Sequence, residues 1–231
     1  MYRVLADPAV LESFPHYRLL VLYARNLHNT PSTPYSTAEL RAAEAAARAR
    51  FAHQRPAEHP HIAAWREAYA AFGLKPSKFP CSAEALIARA VKGAELPAIN
   101  ALVDLYNAVS VGRVVPVGGE DWDRLEGDLY LRFADGSESF DTFRDGQPAI
   151  EHPQAGEVVW ADRAGVTCRA WNWRQGLRTR LTEHSTNAYF ILDSLEPYAS
   201  AELEAAGEQL STYLRRLSPG CQLETERLGA W

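Results

Sequence analysis

The texture of this chain shifts near residue 110, and that shift limits the folds open to it. From about residue 37 to 110, apolar residues recur at helical spacing; from there to about residue 175, they alternate in short runs bounded by turn residues. TAELRAAEAAARARFAHQ, Thr37 to Gln54, is alanine-rich with its arginines mostly outward, and Thr37 can cap it. A second helix is predicted from Ile62 to Phe72, stopped by Gly73 with Pro76 beyond. Ser82 caps AEALIARAVKG, which ends at Gly93, and Pro97 opens a fourth helix from Ala98 to Ser110. Downstream, GDLYLRFADG puts Leu129, Leu131 and Phe133 on one face, and SFDTF, EVVWAD and GVTCRAWNW follow. YRLLVLYARN, Tyr17 to Asn26, reads as a buried strand that opens the sheet. Tyr189 to Leu195 reads as another, before a closing helix from Ala201 to Leu217. These elements predict an α+β protein with a mixed β-sheet core packed with helices. No repeat or long linker demands a boundary, so residues 1–231 are expected to form one domain.

Lys plus Arg total 24 against 29 Asp plus Glu, a net charge of −5, so no general positive field is available to grip nucleic acid. An anionic partner must be held locally. Cys81, Cys168 and Cys221 are odd in number and form no CxxC pair, which points to a reducing compartment. The opening MYRVLADPAVLESFPHYRLL has no basic segment followed by a long apolar one, and LLVLY is too short to cross a bilayer. A cytoplasmic chain with no membrane partner is expected.

Three stretches have the residue types for chemistry. INALVDLYNAVS is apolar around most of a helix and leaves Asn100, Asp104 and Asn107 as a narrow polar stripe, which must face water, internal partners or a cleft. TCRAWNWRQGLRTRLTE gathers Arg169, Arg174, Arg178 and Arg180 around two tryptophans. As a strand, it places Arg169, Trp171 and Trp173 on one face, either a stacking surface for a nucleobase or an arginine lid over core indoles. Cys168, in this arginine-rich setting, is a formal nucleophile or a buried strand cysteine. In EHPHI, Glu58, His59 and His61 resemble metal ligands, but Pro60 resists a regular geometry and no further ligand follows at suitable spacing, so no metal is expected. No Gly-x-Ser-x-Gly elbow or Walker loop is present.

Taken together, KPSKFPCSAEALIARAVKG, LPAINALVDLYNAVSV, VVPVGGEDWDRLEGDLYLR and GEVVWADRAGVTCRAWNWRQGLRTRLTE resemble the B3/B4 domain of the phenylalanyl-tRNA synthetase β subunit, and still more the free-standing proteins built from it. The resemblance spans about residues 18–217 and implies that domain's fold. In the synthetase, the domain hydrolyses the ester of a wrongly charged tRNA. Its Val-Asp-Ile-Thr-Asn motif is similar to Val103, Asp104, Leu105, Tyr106 and Asn107, so Tyr106 replaces the editing threonine while the asparagine is kept. Its Gln-Pro-Leu-His is similar to Val115 to Gly118, with Gly118 where the histidine stands. Its glycine-rich stretch falls near Ala170 to Arg174, and its tyrosine-reading glutamate near Ile191, with Asp193 two residues on.

The resemblance implies a trans-acting aminoacyl-tRNA editing hydrolase that orders water against an already activated ester. Asn107 and Asn172 are the expected catalytic polar groups. Tyr106, Gly118, Arg169, Trp171, Trp173 and Arg174 are the expected substrate-binding residues, the tryptophans as walls and the arginines as phosphate anchors. The partners are the aminoacylated acceptor end of tRNA and its amino-acid moiety, with no cofactor. The alternative is a non-catalytic module that binds tRNA or an amino acid, which the replaced editing residues favour.

Overall fold

Strands β2 (Arg18–Arg25) and β10 (Ala188–Ser194) carry unbroken apolar runs because both faces of each are covered. In the computed structural model, which describes residues 2–231, they form the centre of an antiparallel four-stranded sheet. Its order is β11-β2-β10-β3, with β11 (Gln222–Gly229) and β3 (Val117–Asp121) at the edges. On one face, Leu19, Val21, Tyr189 and Ile191 share a core with Leu129, Leu131, Val158 and Trp160 of a second sheet and with Trp65 and Tyr69 of α3 (Pro60–Ala71). On the other, Leu20, Leu22, Phe190 and Leu192 pack on α5 (Ala101–Arg113) and α6 (Ser200–Leu217) through Leu102, Val109, Leu203 and Leu210. Beyond α5 lie α2 (Pro34–Arg50) and α4 (Ser82–Val91), joined to it through Leu40, Ala47, Ile87, Ala108 and Val111.

The second sheet is seven-stranded. It contains β1 (Val4–Ala6), which leads into α1 (Pro8–Ser13), then β4 (Leu129–Phe133), β5 (Phe140–Arg144), β6 (Gln147–Glu151), β7 (Val158–Asp162), β8 (Gly165–Arg169) and β9 (Arg174–Gln175). The order is β1-β4-β7-β8-β5-β6, with β9 paired to β8. The β1–β4 and β5–β8 pairs are parallel and the others antiparallel. The α+β class and the mixed sheet therefore hold, but the strands divide between two sheets whose facing surfaces make the core.

Several boundaries differ from the sequence reading. Thr33, rather than Thr37, caps α2: its hydroxyl accepts from the Ser36 N–H, Ser36 reciprocates, and Pro34 begins the helix. Asn100 caps α5, accepting from the Val103 N–H, so Ala98 and Ile99 lie outside it. GVTCRAWNW does not continue as a strand. Ala170 and Trp171 take positive φ values of 44° and 61°, which turn the chain immediately after Arg169. The alternation that was to put Arg169, Trp171 and Trp173 on one face ends there.

Candidate functional site

A cavity of about 230 Å³ opens where the two sheets meet α4 and α5. It brings together Tyr106 and Asn107 of α5, Gly118 of β3, and Trp171, Asn172 and Trp173 of the turn after β8. Arg169 and Arg174 lie outside it. The rest of the wall includes Trp160, Cys168 and Gln175 from the seven-stranded sheet and Glu120, Tyr189, Ile191 and Asp193 from the four-stranded sheet. The β3–β10 register sets Glu120 opposite Tyr189 and Gly118 opposite Ile191. A Cβ added at Gly118 would meet nothing within 4 Å, so the cavity is open on that side.

Asp193 is 1% exposed and held from two directions. The Tyr17 hydroxyl donates to Oδ1 at 2.5 Å, and the Asn172 amide donates to Oδ2 at 3.3 Å, while Tyr69 donates to the Asn172 carbonyl at 2.9 Å. Tyr69 and Asn172 thus fix the amide orientation that faces the carboxyl. The Trp171 N–H lies near enough to favour the carboxylate but outside hydrogen-bond geometry. Burial outweighs these donors and raises the carboxyl from its ordinary value of 3.8 to about 7. Glu120 is also raised by burial, against the Tyr189 hydroxyl that donates to its Oε2 at 2.5 Å. Cys168 is no activated nucleophile: burial and the carboxyls of Glu120 and Asp193 hold its thiol well above the usual range.

The arginines of the 167–183 stretch are largely occupied within the protein. Arg169, 8% exposed, donates to both oxygens of Glu157 at 3.0 and 2.8 Å and to Glu151 at 3.1 Å. Arg178 grips Asp162 at 2.7 and 2.9 Å. Arg174 is half-buried, donates to the Phe143 carbonyl at 2.9 Å, and lies 5.8 Å from the Trp173 ring centroid, as does Arg169. The expected guanidinium stacking is therefore present at Trp173, whereas Arg169 is an internal ion-pair residue and does not face a phosphate. Arg169→Ala leaves Glu157 buried without its counter-charge and is expected to destabilise the fold by about 3 kcal/mol, measured by denaturant unfolding.

The polar stripe of α5 splits by depth. Asn100 is the helix cap, and Asp104 is buried, accepting from Ser36 at 2.9 Å and from the Ile99 N–H at 2.9 Å. Only Asn107 reaches the cavity. His61 uses both ring nitrogens internally, Nδ1 toward the Val114 carbonyl and Nε2 accepting from Trp65 and the Leu195 N–H. Among the described residues, no group of His, Cys, Asp and Glu side chains is placed to hold a metal ion, and no helix is long and apolar enough to cross a membrane.

Glu120, Tyr189, Tyr17 and Tyr69 were missed as site residues. Part of the signal was present: period two puts Gly118 with Glu120 and Tyr189 with Ile191 and Asp193. The approach of Tyr17 and Tyr69 to that face depends on contacts distant in sequence.

Helices flanking paired sheets, with a cavity at their junction, define a domain class that the sequence comparisons identify. The B3/4 domain family matches residues 64–224, and the chain belongs to that family. Among solved structures, it is similar to an N-terminal fragment of the phenylalanyl-tRNA synthetase β subunit from Pyrococcus horikoshii, with a TM-score of 0.50 and 10% identity over 99% of this chain. The match spans 55% of that fragment, and at this identity it shows the fold alone. No curated protein matches the chain.

Proposed function

We propose that the protein is a hydrolase that removes a wrongly attached amino acid from tRNA, with the aminoacyl group in the cavity between the sheets. The observation that carries this reading is Asp193, a buried carboxyl raised to about 7 in the wall of an apolar cavity and oriented by Asn172. A base for water needs an affinity near the working pH, and this environment supplies it. In the proposed step, a water oxygen attacks the ester carbonyl carbon while one of its protons passes to Asp193. The carbonyl oxygen becomes the oxyanion, for which the amide of Asn107 is the candidate donor. Collapse of the tetrahedral species breaks the bond to the ribose oxygen, which leaves with the proton from Asp193. The products are a free amino acid and a tRNA hydroxyl. Asn172 acts in this reading by positioning Asp193, and Trp171 and Trp173 wall the acyl group.

The test is deacylation of a panel of mischarged tRNAs by the purified chain. Accelerated release of at least one amino acid is expected. No acceleration over the whole panel, with tRNA or amino-acid binding retained, would assign the protein to the binding-module class. For the nucleic-acid contact, Arg174→Ala is expected to weaken tRNA binding and to reduce the slope of log affinity against log salt by about 0.7, one phosphate contact to a single strand. Affinity measured across salt concentrations checks this, and an unchanged slope would leave Arg174 to Trp173 and Phe143 alone.

A further inference from the structure

The cavity wall sets aromatic faces beside buried acids and presents no cation. Among the described residues, no Lys, Arg or His lines it, while Glu120 and Asp193 both do. The neighbouring guanidiniums are committed elsewhere, Arg178 to Asp162 and Arg169 to Glu157 and Glu151. The two acids are not adjacent. Glu120 pairs across the strands with Tyr189, and Asp193 lies four residues further along β10 on the same face, a separation of about 13 Å between backbones at the usual strand rise. Ile191 lies between them on the strand, and Trp160, Trp171, Trp173 and Cys168 share the same wall. The Trp171 N–H is fully buried beside the Asp193 carboxyl and the Tyr17 hydroxyl, so it is turned to the protein's own groups.

An apolar cavity with two buried acids in its wall and no cation suits one pattern of ligand charge. An amine at Glu120 would form a charge-assisted hydrogen bond in a site of low dielectric, with Tyr106 and Tyr189 close to the same carboxyl. The methylene stem of a long amine packs on indole and phenol rings, and the head can lie over a ring face. A free carboxylate would meet two acids of its own sign and no counter-charge.

We propose that Glu120 is the specificity-determining residue of this cavity and reads a side-chain ammonium, so that the preferred acyl group is a diamino acid of the lysine type in ester or amide linkage. This rests on the reading of the cavity as an acyl-group site and names the substrate class it favours. Burial raises Glu120 above the ordinary carboxylate range, outweighing the hydroxyls of Tyr189, Thr179 and Thr167 that favour its charged form, and among the described residues no ion-pair partner of its own lies against it. Arg178, which also acts on Glu120, has its own carboxylate partner in Asp162.

Titration of the intact chain with lysinamide, norleucinamide and lysine, followed by calorimetry and by tryptophan fluorescence, tests the inference. Norleucinamide keeps the stem and the α-amino group and lacks only the side-chain ammonium, and lysine restores the carboxylate. Lysinamide is expected to bind at least about 10-fold more tightly than either, a difference of about 1.4 kcal/mol. Glu120→Gln should erase its advantage over norleucinamide. Gly118→Ala, whose added Cβ meets nothing within 4 Å and takes up open space at the cavity wall, should weaken both amides. Norleucinamide binding as well as lysinamide, a preference that survives Glu120→Gln, or absence of binding by both amides would overturn the inference. The first comparison needs no variant, so a Gln protein that fails to fold does not remove the test. If no mischarged tRNA is deacylated and the lysinamide preference stands, the hydrolase reading falls and the ligand class remains. Deacylation without that preference gives the reverse.

Discussion

Asp193→Asn is expected to lower deacylation by about 100- to 1000-fold, because it removes the proton acceptor and preserves the shape of the side chain. The wild-type rate should rise with pH through about 7 as the carboxyl ionises, and that limb should vanish in the variant. The same substitution should change stability in a pH-dependent way. Asp193 binds its proton more tightly folded than unfolded, so its contribution is fully present below 3.8 and is lost as pH rises to about 7. Above that pH, the wild type carries a buried carboxylate and the variant does not. The variant should therefore gain on the wild type across this window, by at most about 4 kcal/mol. Rates and denaturant unfolding measured from pH 4 to 8 check both parts. A variant with full activity would remove Asp193 from the chemistry, and a stability difference independent of pH would remove the burial argument.

Trp171→Ala should be the most destabilising single change at the site, by about 3 to 5 kcal/mol. Its ring is 0% exposed and meets Phe14, Tyr17, Trp65 and Phe72 at centroid distances of 4.9, 4.9, 5.1 and 6.3 Å. Those side chains come from the residue that caps the end of α1, the loop before β2, and α3 with its end, so the indole joins segments separated by most of the chain. Its backbone holds a φ of 61°, which alanine relieves no better than tryptophan. Trp173→Ala should cost only about 1 kcal/mol, since that ring is half-buried and packs mainly on Phe79 at 4.7 Å, while weakening tRNA binding. Thermal unfolding of both proteins tests the contrast. Equal losses would mean that the two indoles share one role, as strand alternation alone implied.

The sequence by itself determined the fold class and much of the cavity. Helical spacing from about residue 37 to 110 and alternation from there to about residue 175 are local properties, and so is the doubly apolar run of β2. Tyr106, Asn107 and Gly118 were singled out through the family motifs, and Trp171, Asn172 and Trp173 through the aromatic and cationic stretch; all six line the one cavity, whose role is the proposal made above. Caps were less legible because Thr33 and Thr37, or Asn100 and Pro97, offer competing starts whose choice depends on where each helix docks.

Only the tertiary structure decided the charges. Arg169 reads as an anchor for phosphate until Glu157 is placed against it, and Asp193 reads as an ordinary strand aspartate until Tyr17, 176 residues away, closes over it. The turn at Ala170 and Trp171 likewise depends on the pocket that receives the indole. Periodicity reports which side of an element is apolar. The free energy of a charge depends on burial and on the group opposite it, and both are set by segments that meet only when the chain has folded.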